Sequence, residues 1–386
     1  MPRPRVIFLG NAIEADVLAE RRIVTDSPAG SRKVFMMLAA LRRNGVSAVA
    51  LSMGRGRADG KPGFWPWRIG RSRGCVAIYM PFSHRPYLSE LLTLVSAPLA
   101  VWSLRHRSKS TTLLAYNREP AHLLAVALAR LLGFRVMLDF EDGEVLRTSA
   151  LRRWTTRWMD ALCRDGALLA NTELAQWTRI RPVQPYYGLI EDFREGPALD
   201  ERPLRILFGG TLTAPWGADM LAECLLRMKQ CGENWTQDVS LDVTGSGDRL
   251  PRLRKIGALP GHPEVRVHGR VSDETYAQLL HGAHVGLQLR PVGGIVADNT
   301  FPSKLPEYVG AGKLLVTTDI SDVRLLIGDG ALYVEPDTAD RLFDLLKSLV
   351  ENSEGAAAMR SRGQERLTQA CDPGEAVDSL KRFLFH

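Results

Sequence analysis

The sequence predicts an α/β protein built from two consecutive parallel-sheet domains, and three observations carry that expectation. Short runs rich in Val, Ile, Leu and Phe alternate with helical patterns from one end of the 386 residues to the other, the rhythm of βαβ units. The rhythm breaks once, at residues 188–203 (GLIEDFREGPALDERP), where charge is dense, two prolines occur and no period is visible, as in a linker. The charge also changes sign near that break. Residues 1–195 carry 29 basic and 17 acidic side chains and residues 196–386 carry 21 and 26, so the halves stand at +12 and −5 and sum to the +7 of the whole chain. A basic half joined to an acidic half points to two domains, the first facing something anionic.

The elements follow in order. In the first half the apolar runs are Arg5–Gly10, Val46–Ser52, Cys75–Pro81, Thr111–Asn117, Arg135–Asp142 and Ala167–Thr172, with helical segments such as Ser31–Arg43 and Pro120–Leu132 between them. The rhythm restarts at Leu204–Gly210 and continues through Val239–Gly245, Val265–Gly269, Val285–Pro291, Leu314–Asp319 and Ala331–Glu335. Two sets of similar size predict two Rossmann-like domains facing each other across a cleft. Glu375–Phe385 reads as one more amphipathic helix. With 45% apolar and 24% charged residues, the composition excludes disorder, collagen and coiled coil as the main architecture.

The five cysteines (Cys75, Cys163, Cys224, Cys231 and Cys371) are odd in number and scattered, with no C-x-x-C. Neither a disulfide framework nor a zinc knuckle is indicated, and a reducing cytoplasm is the expected compartment. The opening MPRPRVIFLGNAIEAD meets an acidic residue after a very short apolar run and has no cleavage signal, against secretion. The longest apolar stretch, Leu91–Leu104, is about 14 residues where a bilayer needs about 20. It reads as a core helix or an interfacial one.

The most informative stretch is Asp298–Asp319, DNTFPSKLPEYVGAGKLLVTTD. A loop delivers Pro302, Ser303 and Lys304 to the start of a helix, Glu307 follows one turn later, and a Gly-rich turn leads into a strand. A helix N-terminus offers unpaired N–H groups and a positive dipole end, which suit phosphate. Lys304 adds a full positive charge, and Glu307 is placed to accept hydrogen bonds from sugar hydroxyls. Together these residues suit a nucleotide diphosphate. A plainer reading stays open, in which Ser303 caps the helix and Glu307 complements its dipole.

This segment resembles the C-terminal signature of glycosyltransferase family 4, the large retaining GT-B group, whose members often read PSK-x-x-EY-x-A-x-G-K-P-V-V-x-T-D. The resemblance extends backwards through LRILFGGTLTAPWGAD, LDVTGSGDRLPRLRKI and VRVHGRVSDETYAQLLHGAHVGLQLRP. In the first half PAGSRKVFMMLAALRRNGVSAVALS is similar to the family's opening helix and strand, and ALLANTELAQ with YYGLIEDF to its segments before the linker. The match covers residues 200–345 well and residues 1–195 loosely, and it is specific for the family rather than for any one sugar.

The resemblance implies roles position by position. Glu307 corresponds to the second of the family's paired glutamates, expected on the donor ribose; the first falls on Asn299, an amide. The stretch Asn299, Thr300, Phe301, Pro302 and Ser303 would place backbone N–H groups around the donor sugar and phosphates. The Arg and Lys common in the family's donor-domain turn are replaced by Thr211 and Trp216, so Lys304 is the candidate to meet the diphosphate, with Arg290 assisting. Gly210 and Gly245 belong to the two Gly-rich turns. Val271 falls where the family's backbone meets the base, and Gly30 where its N-terminal glycine loop approaches the phosphates. The domains implied are 1–195 for the acceptor, 196–370 for the nucleotide-sugar, and a closing helix at 371–386 packing back on the first domain.

Asp139, Glu141, Asp142 and Glu144 (VMLDFEDGEV) end a predicted strand, and carboxylates at the carboxyl end of a parallel strand open onto the ligand crevice. Some family members carry an acidic residue here, which makes Asp142 or Glu141 the catalytic candidate beside Lys304; a helix-capping or salt-bridging loop is the plainer alternative. The D-x-E within it is reminiscent of the metal-binding D-x-D of GT-A transferases, but the restart at residue 204 argues against that fold. No metal and no cofactor are expected.

Met53–Gly74 sets Arg55, Arg57, Lys61, Arg68, Arg71 and Arg73 around Phe64, Trp65 and Trp67, and the apolar 91–104 run is bounded by Arg85, Arg105, Arg107 and Lys109. Cations attract anionic head groups and Trp prefers the interface, so docking on the inner face of a membrane competes with a solvated loop plus a core helix. No nucleic-acid fold signature occurs, so no nucleic-acid partner is expected. There is no P-loop, no complete dinucleotide fingerprint and no nucleophile elbow. His281 and His284 stand three apart with no third ligand and read as structural. The function expected is a metal-independent hexosyl or related transferase, moving a sugar from a nucleotide-sugar to a cell-surface glycan on a lipid carrier with retention. Its rivals are a sugar-nucleotide epimerase of the same fold and a non-catalytic paralogue scaffolding a membrane complex.

Overall fold

The computed structural model describes residues 3–25, 28–58, 60, 63–106, 110–142, 150–190, 192–294, 297 and 299–386. The chain divides into two compact units, Met1–Leu189 with Pro373–His386, and Ile190–Asp372.

In unit 1 the strands are β1 (Arg5–Gly10), β2 (Ile23–Thr25), β3 (Ser47–Ser52), β4 (Arg57–Ala58), β5 (Phe64–Trp65), β6 (Arg68–Ser72), β7 (Cys75–Tyr79), β8 (Phe82–Ser83), β9 (Thr111–Tyr116), β10 (Arg135–Phe140), β11 (Ala167–Leu169) and β12 (Val183–Pro185). Eight form one sheet in the order β12-β11-β10-β9-β1-β3-β7-β6. Neighbours run parallel except β6, which lies antiparallel to β7 at the edge. In the central strand Val6, Ile7, Phe8 and Leu9 are all buried, as a strand covered on both faces requires.

Topology decides which helices share a face. The connections β7→β9, β9→β10 and β10→β11 all step across the sheet in one direction, and β1→β3 steps in the other. Right-handed crossovers therefore set helices Pro86–Ser103, Leu123–Leu131 and Ala150–Leu162 on one face and Pro28–Arg43 on the opposite one. The first three pack in sequence against one another, and Pro373–Phe385 packs on Pro28–Arg43. Val377, Leu380 and Leu384 of the closing helix are buried in the unit 1 core, each worth about 1.5–3 kcal/mol. Thr112 Oγ1 donates to the Leu384 carbonyl at 2.7 Å.

In unit 2 the strands are β13 (Leu204–Thr211), β14 (Val239–Ser246), β15 (Glu264–Gly269), β16 (Val285–Gln288), β17 (Leu314–Thr317) and β18 (Ala331–Tyr333). They form a wholly parallel sheet in the order β15-β14-β13-β16-β17-β18. At its carboxyl edge Gly210 (φ +134°) and Gly245 (φ +127°) lie side by side, and a Cβ on Gly245 would sit 1.7 Å from the Gly210 carbonyl oxygen. Only glycine lets these two strand ends approach so closely.

The unit boundary falls between Leu189 and Ile190 rather than at 195, and returns between Asp372 and Pro373 rather than at 370. Leu189 is buried in the unit 1 core, whereas the Ile190 N–H donates to the Cys371 carbonyl at 3.2 Å within unit 2. Beyond the expected strands, the structure adds edge strands β6 and β12 and the two short antiparallel pairs β2–β4 and β5–β8.

Candidate functional site

Helix Lys304–Gly310 follows β16 in unit 2 and is fixed by Tyr308. The Tyr308 side chain is fully buried, and its phenol oxygen accepts the Gly209 N–H of β13 at 3.0 Å. The ring fits because residue 286 on β16 is glycine; a Cβ there would lie 2.4 Å from Tyr308 Cγ. With Tyr308 anchored at the carboxyl edge of the sheet, Lys304 and Glu307 stand together on the same short helix.

Lys304 Nζ is 2.5 Å from Glu307 Oε2. It also donates to Tyr276 Oη at 2.9 Å and sits 4.1 Å from the centroid of that ring. Tyr276, on helix Asp273–Gly282, donates in turn to Glu307 Oε2 at 3.3 Å. Burial, then the neighbouring Tyr308 and Glu307, push the Tyr276 phenol far above its ordinary value, so it stays a hydrogen-bond donor. A cation, a carboxylate and a neutral phenol therefore close a triangle, with the two charged side chains only 23% and 18% exposed. Ser303 is exposed and makes no capping bond with its hydroxyl, so the plainer reading of Ser303 as a cap does not hold.

A second group lies in the loop just before this helix. Arg290 is 3% exposed, stacks 3.9 Å from the Trp216 ring centroid, and donates to Thr300 Oγ1 at 2.6 Å and to the Phe301 carbonyl at 3.5 Å. Thr318 Oγ1 donates to the Arg290 carbonyl at 2.5 Å. Arg290 thus braces residues 300–301, and through them the approach to Lys304. Trp216, which stands where the resemblance places a lysine, is its stacking partner. Asn299 and Pro302 are buried in the same loop; Thr211 and Gly210 are exposed at the end of β13; Gly245 and Val271 are half-buried. Asp298 lies outside the described residues.

Unit 1 gathers the remaining candidates. Lys33 stands one turn beyond Gly30 on helix Pro28–Arg43 and reaches Glu141 Oε1 at 2.5 Å. Asn117, at φ 49° after β9, holds the acidic turn. Its Oδ1 accepts the N–H of Glu141 at 2.8 Å and of Asp142 at 3.3 Å, and its Nδ2 donates to Asp142 Oδ2 at 3.2 Å. Asp139 is buried, and burial and then the Glu141 carboxylate raise its carboxyl well above the ordinary range. Glu144 lies outside the described residues. No group of three or more His, Cys, Asp or Glu among the described residues is arranged to hold a metal ion. His284 Nδ1 accepts the Arg205 N–H at 2.8 Å, a structural bond.

Part of the basic and aromatic segment is internally engaged. Trp65 stacks on Phe82 at 5.7 Å, Arg55 pairs with Glu119 at 3.1 Å, and Arg68 pairs with Asp16 and Glu20. Lys61, Arg107 and Lys109 lie outside the described residues. Sequence reasoning missed Tyr276, Lys33 and Asn117. Lys33 was detectable as the cation one turn from Gly30, whereas Tyr276 is 28 positions from Lys304 and has no local signal.

Residues 203–352 match the family described as Glycosyl transferases group 1. No curated protein matches the sequence. Three solved structures share the fold over nearly the whole chain. One from E. coli, described as trehalose-6-phosphate bound with UDP-2-fluoro glucose, has 12% identity and a TM-score of 0.69, covering 99% of both chains. An α,α-trehalose-phosphate synthase (UDP-forming) from Burkholderia xenovorans in complex with glucose-6-phosphate has 13% identity and a TM-score of 0.69, covering 98% of this chain and 99% of that one. Sucrose-phosphate synthase from Thermosynechococcus elongatus has 12% identity and a TM-score of 0.69, covering 98% of both.

Proposed function

We propose that the chain, whose fold is GT-B, is a glycosyltransferase, a reading supported by the match of residues 203–352 to the glycosyl transferases group 1 family. It takes a sugar from a nucleotide-sugar held on unit 2 and delivers it, with retention, to a cell-surface glycan on a lipid carrier, working as a peripheral protein on the inner face of the membrane. The observation that carries this reading is the Lys304–Glu307–Tyr276 triangle at the carboxyl edge of the unit 2 sheet, where ligands of open parallel sheets bind.

The triangle suits a donor because each partner can exchange its neighbour for a ligand group of the same kind. A diphosphate replaces Glu307 at the Lys304 ammonium, and ribose hydroxyls replace the ammonium at the Glu307 carboxylate. Because each charge keeps a partner of the same kind when the ligand enters, neither is left buried and unpaired. As the sugar–phosphate bond breaks, negative charge grows on the departing diphosphate, and a fixed ammonium there lowers the barrier. Lys304 supplies this charge without a metal. Titrations of UDP-, GDP- and ADP-sugars, reading nucleotide release with and without lipid-linked acceptors, test the proposal. Acceptor-dependent release supports a transferase. A changed sugar without acceptor would favour the epimerase, for which the buried Asp139 beside Glu141 offers an acid and a base.

A further inference from the structure

Helix Pro86–Ser103 is built inside out. Its buried face is mostly small and polar: Ser89, Thr93, Ser96, Ala97 and Ala100 are buried, together with Val101, and Thr93 Oγ1 bonds back to the Ser89 carbonyl at 3.0 Å. Its outward face is large and apolar, with Leu91, Val95 and Leu99 exposed at 56%, 58% and 59%, Tyr87 before them and Trp102 after. Spacings of three and four residues keep these side chains on one stripe, which runs the length of the 18-residue helix, about 27 Å. The face continues sideways. The next helix in the layer, Leu123–Leu131, turns out Leu124 and Leu131, and the one after it, Ala150–Leu162, turns out Trp154 and Trp158. No described helix is long and apolar enough to cross a membrane.

The charges on this layer choose among partners. Arg153 and Arg157 are exposed one position before each tryptophan, Arg85 is exposed at the start of the first helix, and Arg105 stacks on Trp102 at 4.5 Å near its end. Of the acidic side chains described on the three helices, Asp160 is held by Arg118 at 2.8 Å, which leaves Glu90 exposed. Leucine bounded by tryptophan and arginine matches the layering of a lipid interface, with acyl boundary, ring belt and phosphate in that order. We propose that the outward faces of these three helices form one docking surface for an anionic lipid bilayer. The surface rests on the peripheral-membrane part of the functional reading and is independent of the donor site.

Vesicle flotation tests it, using phosphatidylcholine alone and with 30% phosphatidylglycerol, at about 0.1 M salt. Wild type is expected to float with the anionic vesicles. Leu91→Gln with Leu99→Gln is expected to lose at least tenfold in partitioning, with an unchanged melting temperature. Arg153→Ser with Arg157→Ser is expected to lose about 30-fold on anionic vesicles and little on neutral ones. Absence of wild-type flotation, equal flotation of all variants, or a wild-type dimer that the Leu91/Leu99 variant dissolves would each overturn the proposal, the last in favour of a second copy. The thermal shift of the Leu91/Leu99 variant with the donor nucleotide is read alongside; if it stays intact while flotation fails, the donor reading stands and the membrane surface falls.

Discussion

Two helices, one in each unit, show how differently the halves treat their surroundings. Ala339–Glu351 in unit 2 buries Leu342, Phe343, Leu346, Leu349 and Val350 and turns Asp340 and Asp344 outward to Arg227. Pro86–Ser103 in unit 1 buries mostly serine, threonine and alanine, with Val101, and turns leucine and tryptophan outward. Buried polar groups do not follow that contrast, since both units hold matched and unmatched ones. Unit 2 pairs Lys304 with Glu307 and Tyr276, yet leaves the buried Ser240 Oγ unbonded among the described residues. Unit 1 buries Asp139 with its carboxyl pushed up, and His122 with neither ring nitrogen bonded among the described residues. In these two helices unit 2 buries its large apolar side chains, and unit 1 leaves Leu91, Val95 and Leu99 exposed.

The largest effect is expected where unit 2's matched charges meet the donor. Lys304→Ala should lower turnover about 10²–10³-fold, the loss typical of removing one fixed stabiliser of developing charge, while leaving the melting temperature within a degree or so of wild type. A large drop in stability instead would make the triangle a folding device. The helix contrast is tested by one substitution made twice. Leu342→Ala should cost about 2–5 kcal/mol in denaturant unfolding, and Leu91→Ala should stay within about 0.5 kcal/mol. Equal costs would erase the contrast.

A further effect on stability is expected from acid. Burial, with Arg55 adding to it, lowers the His122 pKa to about 3, whereas the unfolded chain takes up that proton near 6.5. The unfolded state therefore binds more protons between those values, and stability falls as pH drops from about 6.5 to about 3, by at most about 4–5 kcal/mol. His122→Leu should flatten that limb in melting curves recorded across the window; an unchanged slope would place the acid sensitivity elsewhere. The smallest effect belongs to Tyr276→Phe, which removes the hydroxyl that bonds both Lys304 and Glu307 but leaves the ion pair, and should weaken donor binding by about tenfold or less, read by titration calorimetry.

The strands were legible because Val, Ile and Leu runs between helical patterns leave few alternatives in a parallel sheet. Edge strands β6 (RIGRS) and β12 (VQP) were not, since short polar segments carry no such period. The PSKLPEY stretch could be singled out because its groups lie within one helical turn, whereas Tyr276 reaches Lys304 only through tertiary packing. The apolar 91–104 run left core and interfacial readings open. What separates them is the placement of Ser89, Thr93 and Ser96, at helical spacing on the buried side. The stacking of Arg290 on Trp216 was not legible because it depends on two loops, far apart in sequence, meeting at the sheet edge.

The most direct measurement is a thermal-shift panel of UDP, GDP, ADP and their common sugars on wild type and Glu307→Ala. A nucleotide that binds only the folded protein raises its melting temperature, by roughly 5–10 °C for a unit of this size at about one hundred times Kd. One base should stabilise wild type and leave Glu307→Ala nearly unmoved. No shift of wild type with any nucleotide, or an equal shift in both proteins, would contradict a donor site at Lys304 and Glu307.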